Sequence, residues 1–185
     1  AQCVVISPGP GRPHRVTDLG WGWELLDRRR DLPVLGVCLG HQAIALHAGA
    51  RVDQRRARHG QVDRVRHTGT GLFAGIPQGF AAVRYHSLQV TEPVPADLMV
   101  SARAADGTVM AVTHRRLPRW GVQFHPESIG TEHGARLVGN FLALARAVGP
   151  ATATDTATVR PVTAGPRRAA TASVTTRQPA PDPAA

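Results

Sequence analysis

The chain has 185 residues, 42% of them hydrophobic, which suits one globular domain with a buried core. Its formal net charge is +9, and every basic side chain is Arg, in a sequence also rich in Ala, Gly, Pro and Val. The densest basic runs, Arg28-Arg29-Arg30 and Arg55-Arg56-Ala57-Arg58, hold no interleaved aromatic residue, so they read as solvated faces and argue against a nucleic-acid surface, which would need stacking partners among the cations.

In chain order, Cys3-Val4-Val5-Ile6 reads as a buried strand. Ser7-Pro8-Gly9-Pro10-Gly11 is a loop, because its prolines lack backbone donors. Residues 18–30 carry a helical pattern, with Leu19, Trp23, Leu25 and Leu26 on the apolar side; packing is the default role for Trp21 and Trp23. A short apolar run, Leu32-Pro33-Val34-Leu35, then enters Gly36-Val37-Cys38-Leu39-Gly40-His41-Gln42, and a helical pattern leaves it through Ala43-Ile44-Ala45-Leu46-His47. A cysteine between small residues at a strand-to-helix turn is a nucleophile elbow. The unpaired N–H groups of the helix start would favour a thiolate there.

Residues 52–65 read as two short strands around His59-Gly60, and residues 68–79 are turn-rich. Strands are expected over residues 80–85, 98–104, 109–113 and 120–124, with a hairpin signal at Asp106-Gly107. The last strand runs into His125-Pro126-Glu127. Positions two apart in extended chain point to one side, so Glu127 can orient the ring of His125 while His125 faces the cysteine. Residues 131–148 form a final amphipathic helix, with Leu137, Val138, Phe141, Leu142 and Leu144 inward. From Gly149 to the end, Ala, Thr, Pro, Arg and Val dominate without a period, which reads as a disordered tail or linker. The domain boundaries are therefore 1–148 and 149–185.

Alternating strands and helices followed by a more antiparallel block argue for an α/β sheet with covering helices and a site at the carboxyl ends of its central strands. Two cysteines suggest no disulfide framework, and Cys3 reads as a small buried residue. No apolar run is long enough to span a membrane and no signal peptide is visible, so a cytoplasmic location is the default. The histidines lack metal-ligand spacing, and no metal is expected; His41 and His86 read as structural or supporting residues, and His59 as structural or part of a partner-facing surface.

Four separated motifs carry a resemblance: SPGPG at residues 7–11, GVCLGHQ at 36–42, RYHSL at 84–88 and GVQFHPES at 121–128. Together they resemble class I (triad) glutamine amidotransferases, in particular the glutaminase component of anthranilate synthase and aminodeoxychorismate synthase. The resemblance implies a flavodoxin-like open mixed sheet flanked by helices. That family normally carries a strand, a helix and a second strand ahead of SPGPG, so the domain is expected to be N-terminally incomplete. It further implies a Cys38, His125 and Glu127 triad acting on L-glutamine through a glutamyl thioester. Oxyanion and substrate contacts would come from Gly9, Pro10, Gly11, Leu39, Gln42, Ser87 and Leu88. The implied partner is a chorismate-binding synthase, as a subunit or fused domain. No cofactor is implied in this domain, and Mg²⁺ only in the partner. Trp120 and the run Thr131-Glu132-His133-Gly134 look more like the aminodeoxychorismate branch than the anthranilate branch. The rival readings are a stand-alone γ-glutamyl cysteine hydrolase and an inactive, truncated binding module on the same fold.

Overall fold

The computed structural model describes residues 1–148; the expected tail over residues 149–185 lies outside them. Seven strands and four helices follow in order: β1 (Val4–Ile6), α1 (Val16–Leu19), α2 (Gly22–Arg28), β2 (Val34–Val37), α3 (Leu39–His47), β3 (Arg51–His67), β4 (Phe80–Thr91), β5 (Leu98–Ala104), β6 (Val109–His114), β7 (Arg119–Val122) and α4 (Gly134–Val148). They form one sheet in the order β1-β2-β7-β6-β5-β3-β4. β1, β2 and β7 are parallel, and the remaining pairs are antiparallel. The expected mixed α/β sheet is therefore present. No helix of the described residues is long and apolar enough to cross a membrane.

The central strands are apolar on both faces because helices cover both, as parallel strands require. Leu35, Val37, Trp120 and Val122 point to one side and pack with Phe73, Phe80, Phe124, Leu137 and Phe141, beneath α4. Val34 packs on the other side with Leu25, Leu26, Ala43 and Ile44 of α2 and α3. The sheet curls, so that the loop following β7 lies along the free edge of β4. His125 N–H donates to Val83 O, Glu132 N–H to Ala81 O, and the Thr131 hydroxyl and Glu132 carboxylate accept from Val83 and Ala81 N–H. This loop occupies backbone groups that an edge strand would otherwise leave open.

Several elements differ from expectation. The helix over residues 18–30 is two helices, broken at Gly20, whose φ is 58°. Trp21 lies 69% exposed at the break and is not packed, whereas Trp23 is half-buried and donates to Pro13 O. The two short strands over residues 52–65 are one 17-residue strand. Gly60, at φ 67°, makes a bulge in the ladder and not a reversal. β4 extends to Thr91 and carries the whole RYHSL run. In α4, Leu137 and Phe141 are buried, but Val138 and Leu142 are largely exposed, since only one stripe faces the sheet. Cys3 is half-buried at the start of β1.

Glycines set the approach of α3 to the sheet. A Cβ on Gly36 would stand 2.4 Å from the Gly40 carbonyl, and one on Gly40 would stand 2.3 Å from Ile6 O. Gly40→Ala is expected to lower unfolding free energy by about 1–3 kcal/mol, because rigid backbone has to give way. Gly139→Ala, in α4 with nothing within 4 Å of the new methyl, is expected to raise it by about 0.5–1 kcal/mol. Urea unfolding of both variants checks the pair.

Candidate active site

Cys38 sits between β2 and α3 with φ 50° and ψ −99°, a left-handed turn that few non-glycine residues adopt. Its N–H donates to Val122 O of β7 at 2.8 Å, and Gln42 N–H closes the first helical turn onto Cys38 O. The expected elbow is present, at the carboxyl ends of the parallel strands. The expected thiolate is not favoured. Burial, the largest influence, pushes the thiol up to about 11, and the Glu127 charge adds to it. The Leu39 N–H and the Gln123 amide pull the other way but are outweighed.

His125 lies three residues beyond β7, and its Nδ1 is 2.7 Å from Glu127 Oε1. The pairing is as expected, but its local cause differs. β7 ends at Val122, and His125 and Glu127 share a tight turn in which Ser128 N–H donates to His125 O. The turn, not an extended chain, folds the carboxylate back on the ring. Gly134 locks this turn against α4, since a Cβ there would stand 1.9 Å from Pro126 O. Tyr85 packs edge-on against the His125 ring at 5.3 Å. His125 Nε2 is buried without a hydrogen-bond partner among the described residues, so the nitrogen that would take a proton is free, and no bond joins it to Cys38. Glu127 is half-exposed, at 55%.

The remaining candidates fall around the elbow. Gly9 lies against Leu39, with its Cβ position 3.3 Å from Leu39 Cδ2. That contact brings the glycine loop to the residue after the nucleophile. Gly11 has φ 116°, and beside it Arg12 N–H donates to Asp18 Oδ2, which ties the loop to α1. Pro10 is exposed in the same loop. Gln42 is buried, and its NH₂ is already engaged by Leu88 O at 2.9 Å and Gln123 Oε1 at 3.1 Å. Only its carbonyl oxygen is left to meet a substrate. Ser87 sits where the β3–β4 ladder skips from Gln54↔Leu88 to Arg58↔His86, so its backbone is outside the regular pairing and available to a ligand.

The sequence reading missed Arg84, Gln123 and Asp106. Arg84 is 1% exposed and donates to Asp63, Asp106, Thr108 and His86. Asp106 is drawn up by burial, but its bonds from Thr108 and Arg84 outweigh this and hold it at about 2. An arginine in a motif gives no sign of being buried; only the alternation of Val83 and Arg84 with Tyr85 and His86 along a strand hints at it. A cleft of about 380 Å³ lined by Cys3, Asp31, Leu32 and Leu142 lies at the amino ends of β1 and β2. That is the opposite end of the sheet from Cys38.

A strained cysteine at a strand-to-helix elbow beside a carboxylate-paired histidine is an arrangement suited to attack on a carbonyl carbon. The comparisons specify it further. Residues 1–145 match the class I glutamine amidotransferases, and the chain belongs to that family. It is 58% identical over 139 residues to an aminodeoxychorismate synthase from Streptomyces griseus, covering 75% of this chain and 19% of that protein. It is 49% identical over 140 residues to anthranilate synthase component 2 from Methanothermobacter marburgensis, covering 75% of this chain and 71% of that one. The solved structure of a protein from Thermoplasma acidophilum, named for GMP synthase, superposes with a TM-score of 0.70 at 27% identity, covering 79% of this chain and 73% of that chain. The chain thus spans about a fifth of the length of the Streptomyces relative and most of the Methanothermobacter one.

Burial holds two histidines beside the site uncharged: His41 is lowered to about 3, and His86 to about 4 with the Arg84 charge assisting. Both therefore bind protons less readily folded than unfolded. Between pH 6.5 and 4 the unfolded chain takes up the protons, so stability falls as the pH drops through that window. His86 alone is expected to cost on the order of 3 kcal/mol by pH 4. A urea titration repeated from pH 7.5 to 4.5 checks this; a flat profile contradicts it.

Proposed function

We propose that this chain hydrolyses L-glutamine to glutamate and supplies the ammonia to a chorismate-aminating synthase, as a separate subunit or as a fused domain. The observation that carries the reading is the Cys38 elbow set beside the His125–Glu127 pair. The names of the two sequence relatives support the chorismate partner. The 58% identity to an aminodeoxychorismate synthase, against 49% to an anthranilate synthase component, favours the aminodeoxychorismate branch.

In this mechanism His125 Nε2 takes the Cys38 proton as Sγ attacks the amide carbon of glutamine. Negative charge gathers on the former carbonyl oxygen, where Leu39 N–H and the N–H groups of Gly9 and Gly11, in the loop that Pro10 shapes, supply donors. Protonated His125, steadied by Glu127, gives its proton to the leaving nitrogen, and ammonia departs from a glutamyl thioester. Water, deprotonated by His125, then attacks the thioester and releases glutamate and the Cys38 thiol. The carbonyl of Gln42 and the backbone of Ser87, outside the ladder, together with that of Leu88 beside it, hold the amino-acid end of glutamine. The half-reaction as written uses these side chains and water, and Mg²⁺ is assigned to the synthase.

The test is glutamate release from glutamine, with and without a chorismate-aminating synthase. Cys38→Ala is expected to reduce release to background, and Glu127→Gln by roughly a hundredfold or more through loss of ring orientation. Both variants are expected to keep the wild-type melting transition within a few degrees. Turnover that persists in Cys38→Ala overturns the reading.

A further inference from the structure

The hydrogen bonds around Cys38 have a fixed direction, and that direction ends on the sulfur. A guanidinium can only donate, and Arg84 Nε donates to His86 Nε2 at 3.0 Å. The His86 ring therefore carries its proton on Nδ1 and donates it to Leu88 O at 2.9 Å. The same carbonyl faces Gln42 Nε2 at 2.9 Å. A carbonyl offers no proton, so the NH₂ end of Gln42 is the end turned toward it. The other proton of that NH₂ goes to Gln123 Oε1 at 3.1 Å. Gln123 then presents its own NH₂ to Cys38 Sγ, 3.7 Å away. Each carboxamide, ambiguous by itself, is assigned by its neighbour. Gln42 and Gln123 are 3% and 0% exposed, so bulk water does not compete for these bonds.

We infer that Gln123 is a positioning residue for the nucleophile: its carboxamide N–H, aimed by Gln42, holds Cys38 Sγ in place and stabilises the thiolate over the thiol. The inference rests on the reading of Cys38 as the nucleophile. A hydrogen bond donated to an ionised acceptor is about twice as strong as one to its neutral form, so the bond gains strength as the proton leaves sulfur. Around the thiol, burial and the Glu127 carboxylate from the loop after β7 oppose ionisation. His41 on α3 and His86 on β4 are uncharged at neutral pH and contribute no cation. The Leu39 N–H and Gln123 are the groups that favour the thiolate before His125 is protonated. Gln123 lies two residues before His125, so one short segment after β7 delivers both the base and this donor.

The test compares the full chain with Gln123→Met and Gln123→Glu, using iodoacetamide as the probe and reading alkylation at Cys38 by mass spectrometry from pH 7 to 9. Loss of the donor is expected to raise the thiol by about one to two pH units. The higher nucleophilicity of a more basic sulfur offsets part of this, leaving alkylation at pH 8 roughly fivefold slower or more in Gln123→Met. Gln123→Glu is expected to be slower still, because it keeps an acceptor for Gln42 but sets a carboxylate against the sulfur. Thermal melts identify folded protein, and Gln123→Glu serves if the apolar variant loosens the site. Glutamine hydrolysis by Gln123→Met is expected to fall about tenfold in kcat with KM within about twofold, and by the same factor at every pH from 7 to 9, because both thiols are largely protonated throughout that range. Cys38 alkylation within twofold of wild type in a folded variant, or a loss of turnover carried by KM with kcat unchanged, overturns the inference. Alkylation needs no glutamine, so a failed glutaminase reading would appear as absent turnover with the alkylation difference intact.

Discussion

The parallel pairing of β2 with β7 is the contact on which the site depends. It joins segments 85 residues apart, with Val34, Leu35, Gly36 and Val37 in register with Arg119, Trp120, Gly121 and Val122. Because the two strands run the same way, their carboxyl ends meet at one edge, and the chain leaves that edge as an elbow on one strand and as the His125 turn on the other. Parallel neighbours cannot be joined by a tight turn; here the antiparallel block β3–β6 is the connection. The approach of α3 over this pair is close enough to require glycine three times. Gly36 and Gly40 face each other, and a Cβ on Gly121 would stand 2.8 Å from His41 Nδ1. A methyl on Gly36 or Gly121 pushes α3 off β2 or β7, and one on Gly40 pushes it off β1, so each displaces the helix that carries the elbow.

Each end of the sheet also contains a buried arginine, and the two are partnered differently. Arg84, toward the site, has carboxylates from Asp63 and Asp106. Arg119, at the opposite end, donates to Leu26 O and to His47 Nδ1, and His47 Nε2 reaches Asp27 at 2.9 Å. The charge of Arg119 is therefore balanced through an imidazole, and burial lowers both Arg119 and His47 from their usual values. Such arrangements stabilise little compared with an apolar core, but breaking one partner leaves an uncompensated charge inside. Their contribution here is geometric: Arg84 fixes His86, and His86 fixes the Leu88 carbonyl on which Gln42 is hung.

The parts of the site legible in the sequence were those dictated by short-range chemistry. Small residues around Cys38 signal a sharp turn, and a carboxylate two positions from His125 signals an orienting partner, even though a turn and not a strand brings them together. What was not legible depends on tertiary surroundings. Gly60 looks like a reversal between two strands, but the ladder continues past it, because a positive φ at one residue serves a bulge as well as a turn. The pattern of residues 18–30 has helical period throughout, yet Gly20 ends one helix and Trp21 starts the next. The burial of Arg84 and Gln123 follows from which strands neighbour theirs. The thiol's preference depends on the same thing: the helix start was visible, whereas the burial that outweighs it was not.

That last imbalance shapes the chemistry of the free site. A thiol held at about 11 is almost wholly protonated at pH 7, with on the order of one sulfur in ten thousand ionised. Cys38 is therefore a weak nucleophile and a poor target for oxidation until its proton has somewhere to go. His125 Nε2 is buried and unpartnered among the described residues; on the proposed function it is the acceptor, and Glu127 on the far side of the ring would stabilise the cation that forms. Catalytic hydrogen bonds are often long or absent before substrate binds and tighten afterwards. On the proposed function, glutamine entering between the Gly9 loop and the Ser87 backbone would bring the electrophile to the sulfur. Proton transfer to His125 then creates a thiolate next to a cation, and the burial that had opposed ionisation strengthens the attraction between them.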